Sequence, residues 1–223
     1  MFIIEKEPKS INAESYRTLR TNVQYSNFSK EIKSILITSA ECGAGKTTIC
    51  GNTALAFSQD EKKVILIDCD LRTPDVHNKF KIPNKYGISD ILSGIKKFPD
   101  IVYKYNDNLD ILTSGKIPSN PSEMLGSKAM KSFIEELKKS YDYVILDSSP
   151  INVVSDPQLL STIADGTIIV VKKNETKIDE VKQAKELLQK VGATIIGCVF
   201  NCVDSIKNTH KKYYTDNEDA ILT

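Results

Sequence analysis

The chain has 223 residues, with 30 Lys+Arg against 29 Asp+Glu and a formal net charge of +1. That length suits one domain, or one domain with tails. The charge balance excludes a nucleic-acid binder that works by bulk electrostatics, and no apolar run reaches the roughly 18 residues of a membrane-spanning helix. The N-terminal MFIIEKEPKS has no basic head followed by an apolar stretch, so no signal peptide is expected. Cys42, Cys50, Cys69, Cys198 and Cys202 form no CxxC pair, and His77 and His210 lie far apart. This pattern argues against zinc and suits a reducing cytoplasm.

In chain order, residues 1–30 hold a predicted helix near Ala13–Tyr25. Its Glu14, Arg17 and Arg20 recur every third residue and stay near one face; alone, they read as a solvated charged face. The apolar strand Ile35–Thr38 then leads into Ala40-Glu41-Cys42-Gly43-Ala44-Gly45-Lys46-Thr47. This is a P-loop in which Ala40 replaces the first glycine of GxxxxGK[ST]. Small residues let backbone N–H groups wrap a phosphate, and the following helix N-terminus adds its positive dipole end. Lys46 would reach the β- and γ-phosphates of ATP, and the Thr47 hydroxyl would coordinate Mg²⁺.

The next strand, Val64–Asp68, ends in Asp68-Cys69-Asp70-Leu71-Arg72. Alternation sends Asp68 and Asp70 to one side. Two such carboxylates need a cation or a shared proton between them, which a nucleotide-bound Mg²⁺ would supply; a solvated strand end with Arg72 pairing one acid is the plain alternative. Leu109–Leu112 is the third predicted strand. A helix over Ser122–Lys139 follows, capped by Asn120 with Pro121 at its first position and Glu123 completing a capping box. Its stripe is Leu125, Ala129, Met130, Phe133, Ile134 and Leu137.

Tyr143–Asp147 continues as Asp147-Ser148-Ser149-Pro150, an apolar strand ending in an acid as in a Walker B motif. Thr167–Val171 is a further strand. The helix Ile178–Val191 shows Val181, Ala184, Leu188 and Val191 on one face and Gly192 at its end. The last strand, Thr194–Phe200, is followed by Asn201, read either as an adenine contact or as a turn residue. From Asp204 onward the chain is polar and is expected to be a mobile tail. The alternation implies an α/β domain: a doubly wound, mostly parallel sheet with helices on both faces, spanning residues 31–203 between an N-terminal segment (1–30) and the tail (204–223). Ligands on such sheets sit at the carboxyl ends of the strands.

Taken together, the P-loop, the D-x-D-x-R of Asp68–Arg72, the D-x-x-P of Asp147–Pro150 and the G-x-x-P-x-N-P-x-E-x-L of Gly115–Leu125 resemble a known family over roughly residues 5–205. It is that of the bacterial tyrosine kinases of capsule and exopolysaccharide synthesis, in the stand-alone cytoplasmic form of Gram-positive bacteria. The resemblance implies an ATP- and Mg²⁺-dependent tyrosine autokinase. Lys46, Asp68, Asp70 and Arg72 would be catalytic, with Asp68 activating the tyrosine hydroxyl or holding a metal-bound water. Gly43, Ala44, Gly45, Lys46, Thr47, Thr48 and Asn201 would hold the nucleotide, and Thr47, Asp68, Asp70 and Asp147 the metal. Glu14, Arg17 and Arg20 match E-x-x-R-x-x-R, which joins subunits of the family into a ring.

By the same resemblance, Tyr213 or Tyr214 of an adjacent subunit would accept the phosphoryl group. The implied partners are the cytoplasmic tail of a membrane polysaccharide co-polymerase, as activator, and a tyrosine phosphatase; no nucleic acid is expected. The protein would be cytoplasmic and recruited to the inner face of the membrane. Three departures stand out: Ala40, Cys42 where the family often has proline, and a tail with two tyrosines instead of a larger cluster. Septum-positioning and partition ATPases share the P-loop but carry a signature lysine where this chain has Glu41, which makes them the less favoured reading. A non-catalytic nucleotide switch is the alternative of a different class.

Overall fold

All six predicted strands form, because five of them are apolar on both faces and can only be satisfied between two helical layers. The computed structural model describes residues 2–26 and 31–203. In chain order the elements are α1 (Ile3–Lys6), α2 (Ile11–Gln24), β1 (Ser34–Ser39), α3 (Lys46–Ser58), β2 (Val64–Asp68), α4 (Val76–Phe80) and α5 (Ile88–Leu92). Then come β3 (Tyr103–Asn106), β4 (Leu109–Leu112), α6 (Pro121–Leu125), α7 (Lys128–Ser140), β5 (Tyr143–Asp147), α8 (Asp156–Ser161), β6 (Gly166–Lys172), α9 (Ile178–Lys190) and β7 (Ile195–Asn201). The sheet order is β3-β4-β2-β5-β1-β6-β7. Every pairing is parallel except β3 with β4.

Alternation along the strands divides the core. Ile35, Ile37 and Leu66 pack with Ile49, Leu55 and Phe57 of α3 on one face. Leu36, Ile65 and Ile67 pack with Met130, Ile134 and Leu137 of α7 on the other. Chain crossovers thus bury both faces and leave the carboxyl edge of the sheet to the loops.

Four local expectations change. The helix read over Ser122–Lys139 is two helices, because Gly126 ends α6 and the Ser127 Oγ accepts the Met130 N–H (3.1 Å) to start α7. Asn120 does not cap through its side chain; its amide donates to Glu123 instead. Ala129 faces solvent, although Leu125, Met130, Ile134 and Leu137 are buried. The added strand β3 reads Tyr-Lys-Tyr-Asn and is mostly exposed, so no apolar pattern marked it; it exists because an antiparallel edge needs only one neighbour.

The N-terminal segment belongs to the same core. Phe2, Ile4, Ala13 and Val23 are buried in it, and the Ile4 N–H donates to Asn52 Oδ1 of α3 (3.2 Å). The Phe2 ring occupies the space a side chain at Gly51 would need: a Cβ there would lie 2.2 Å from Phe2 Cε1. Gly51→Ala is therefore expected to expel the Phe2 ring and to destabilise the protein about as much as Phe2→Ala, by about 1–3 kcal/mol. Urea denaturation of the double variant should then show little further loss.

Candidate nucleotide-binding site

The order β2-β5-β1 sets the three motif-bearing strands side by side. Asp68 is the register partner of Asp147 across β2 and β5, and Asp147 is the partner of Ile37 across β5 and β1. The two acids and the start of the P-loop therefore meet at one carboxyl edge.

The loop is shaped by its glycines. Gly43 (φ +75°) and Gly45 (φ +92°) occupy the left-handed region that residues with a Cβ avoid. Ala40 is fully buried and lies outside that region, so its replacement of glycine brings no backbone strain. Gly45 precedes α3 without any side-chain cap, which leaves the first N–H groups of this thirteen-residue helix for an anion. Lys46 is largely buried, and Thr47 and Thr48 are half-buried at the helix start.

Of the three predicted metal-binding acids, two are held by their own loops. Asp68 Oδ1 accepts the Asp70 N–H (3.2 Å) and Oδ2 the Val76 N–H (3.1 Å). Asp70 Oδ1 accepts the N–H groups of Arg72 (3.2 Å) and Thr73 (2.9 Å), while Oδ2 accepts the Thr73 hydroxyl (3.1 Å). Asp147 differs: Oδ1 accepts the Cys50 thiol (3.3 Å), and the fully buried Oδ2 has no hydrogen-bond partner among the described residues.

Burial, then the neighbouring Asp147, drives the Asp68 carboxyl well above the usual carboxylate range. Burial likewise pushes Asp147 up to about 6, although Thr47, Lys46 and Cys50 pull it down. Burial and Asp147 raise the Cys50 thiol, which keeps it an S–H donor. An orphaned buried carboxylate oxygen beside a raised carboxyl is a site short of positive charge. Mg²⁺ fits it, since that ion is bound through one or two carboxylates plus substrate phosphates. Among the described residues, no three acids, histidines or cysteines form a metal cage of their own.

Two predicted site residues are engaged elsewhere. The Arg72 Nε and Nη2 donate to Oδ2 (2.8 Å) and Oδ1 (3.1 Å) of the buried Asp156, and Nη2 also donates to Ser122 Oγ (3.0 Å). The structure thus makes Arg72 a tie between the β2 loop, α6 and α8. Asn201 Nδ2 donates to the Ala44 carbonyl (2.9 Å) and would stand 2.1 Å from a Cβ at Gly45, so it braces the P-loop. It also lines a cavity of about 780 Å³ beside the loop, with Phe2, Lys6, Tyr16, Thr48 and Asn52.

The α2 residues divide as well. Arg17 pairs with Glu14 (3.0 Å), both partly exposed, whereas Arg20 donates to the Ala56 carbonyl (3.0 Å) and pairs with Asp60 (3.4 Å). Arg17 also donates from Nη2 to the Pro8 carbonyl (2.7 Å), whereas Arg20 fastens α2 to α3. Tyr213 and Tyr214 lie outside the described residues. Sequence reading missed Cys50, Ser122 and Asp156. Cys50 was findable, since it lies one helical turn beyond Lys46 and on the same face; no local signal marked the others.

Fold and site together define a P-loop nucleotide-binding domain with two strand-end acids facing the phosphate cradle. A family model described as an AAA domain matches residues 32–196. The chain is 41% identical over 209 residues to the tyrosine-protein kinase YwqD of Bacillus subtilis, covering 93% of this chain and 88% of that one. It is 33% identical over 202 residues to the tyrosine-protein kinase CpsD of Streptococcus agalactiae, covering 90% and 87%. The crystal structure of the chimerical protein CapA2B2 superposes with a TM-score of 0.85 at 38% identity, covering 89% and 88%. The chain belongs to the bacterial tyrosine-protein kinase family and is an enzyme of that class. Among the described residues, no helix is long and apolar enough to cross a membrane.

Proposed function

We propose that the protein transfers the γ-phosphoryl group of ATP to a tyrosine in the tail of a neighbouring copy, Tyr213 or Tyr214, and so regulates the synthesis and export of a capsular or exopolysaccharide. The observation that supports this reading most directly is the register pair Asp68–Asp147 at the mouth of the P-loop, with one carboxylate oxygen left bare.

Bound Mg²⁺ would neutralise charge on the β- and γ-phosphate oxygens. Lys46 and the uncapped amides of α3 oppose the negative charge that builds up as the phosphoryl group moves. Thr47 of α3 and Asp147 of β5 would hold the cation. Asp68, fixed by two backbone amides, would take the tyrosine proton. No covalent enzyme intermediate is needed. Glu14 and Arg17 would join copies into a ring. The activating partner would be the cytoplasmic tail of a membrane polysaccharide co-polymerase, which would bring a cytoplasmic kinase to the membrane, and a tyrosine phosphatase would reverse the reaction.

Mass spectrometry of the purified protein incubated with Mg²⁺ and ATP, with and without a candidate activator peptide, tests this. Phosphotyrosine is expected at Tyr213 or Tyr214 and should be lost in Lys46→Met and Asp68→Ala, with both variants still folded. If phosphate persists after Tyr213 and Tyr214 are both changed to Phe, the acceptor assignment is wrong. If assembly and polymer output persist in Lys46→Met without phosphotransfer, the protein acts as a nucleotide switch.

A further inference from the structure

The geometry points to Cys50 as a positioning residue that orients Asp147 for the nucleotide-bound cation. This inference rests on the nucleotide-binding reading above and goes beyond it. Three acids meet at the sheet edge, but their oxygens are not equivalent. Both oxygens of Asp68 accept backbone amides, and both oxygens of Asp70 are engaged within its own turn. Asp147 alone has one oxygen in a hydrogen bond, from the Cys50 thiol, and one without, while the nearby Thr47 hydroxyl also favours its charged form. A carboxylate tethered at Oδ1 presents Oδ2 in one direction; untethered, it can rotate and present either oxygen or both.

Placement on α3 makes the arrangement rigid. Cys50 is buried without exposure, four residues after Lys46 and three after Thr47, so one helix carries the phosphate-reaching lysine, the cation-binding hydroxyl and the thiol that aims the facing acid. Asp147 is also wholly buried, so no solvent competes for its oxygens. Groups that stand behind a metal ligand in this way commonly set its orientation. A thiol suits the task because it is a weak donor that is buried as a small hydrophobe, and it holds the acid without supplying a second strong oxygen ligand.

The experiment is calorimetric titration of ADP into the full-length protein, once with Mg²⁺ and once with EDTA, for the parent, Cys50→Ala and Cys50→Ser. Nucleotide-free melting curves establish that each variant folds. In Cys50→Ala the tightening of ADP binding caused by Mg²⁺ should shrink about tenfold, while the affinity in EDTA stays unchanged. Cys50→Ser, which keeps a donor, should restore part of the Mg²⁺ effect. Asp147→Asn alone should abolish the Mg²⁺ effect, and adding Cys50→Ala to it should cause no further loss, because the thiol acts only through the acid. Should the alanine variant fail to fold, Cys50→Val against Cys50→Ser gives the same contrast between a filled space and a donor.

An undiminished Mg²⁺ effect in Cys50→Ala, or in Cys50→Val where the alanine variant does not fold, overturns the assignment. So does equal weakening with Mg²⁺ and with EDTA, which marks a packing role only. If the parent binds ADP no better with Mg²⁺ than without, the nucleotide-binding reading itself fails, and this inference with it.

Discussion

Asp147→Asn is expected to melt at a higher temperature than the parent when nucleotide-free, and to lose Mg²⁺-dependent nucleotide binding and phosphotransfer altogether. The two effects have one cause. Asp147 is fully buried beside Asp68, and burial raises its carboxyl to about 6 from an ordinary 3.8. The folded protein therefore binds a proton here more tightly than the unfolded chain does. Stability from this group is complete below about pH 4 and falls as pH rises toward about 6. Above that it stays low, because the carboxylate is charged in both states.

The loss at neutral pH is on the order of 3 kcal/mol. Asparagine removes it: its Oδ1 can still accept the Cys50 thiol, and its amide can donate toward Asp68. The gain in melting temperature should thus be several degrees at pH 7.5, should narrow as pH falls through 6, and should vanish near pH 4. Mg²⁺ should add to the stabilisation of the parent by ADP through mass action and add nothing to that of the variant. Calorimetric melting across this pH range, with and without Mg²⁺ and ADP, provides the check. A variant that melts below the parent at pH 7.5 would show that the buried acid is satisfied by contacts other than those described.

Arg72→Ala is expected to act in the opposite sense, lowering stability by about 2–3 kcal/mol. Removing one partner of a fully buried ion pair costs about 3–5 kcal/mol. The figure here is reduced because the Arg72 side chain is 39% exposed while Asp156 is 0% exposed. What remains is the burden of the Asp156 carboxylate, left with the Ser122 hydroxyl. Arg72→Lys should rescue little, since one ammonium cannot reproduce the two-pronged contact of Nε and Nη2.

Phosphotransfer should fall in both variants, because the same bond ties the turn that contains Asp70 to α6 and α8. Urea denaturation measures the stability term. Full stability in the lysine variant would mean that charge alone, and not the fork geometry, holds these loops together.

The elements and the motif positions were legible because their causes are local. An apolar β-branched run makes a buried strand wherever it packs, and a small-residue loop before a helix forms a phosphate cradle from its own backbone. Hence the six strands, the P-loop and the acids at the ends of Val64–Asp68 and Tyr143–Asp147 could be read directly. The break at Gly126 and Ser127 is equally local, but the apolar stripe that runs through it hides it.

Partnership between distant residues could not be read in this way. Arg72 meets Asp156 across 84 positions, Cys50 meets Asp147 across 97, and Asn201 meets Ala44 across 157. Each depends on strand order and register, which follow from how two helical layers close over the whole sheet. Side-chain types along the chain therefore named the acids, while packing settled which of them keeps a bare oxygen. That single outcome separates Asp147 from Asp68 and Asp70.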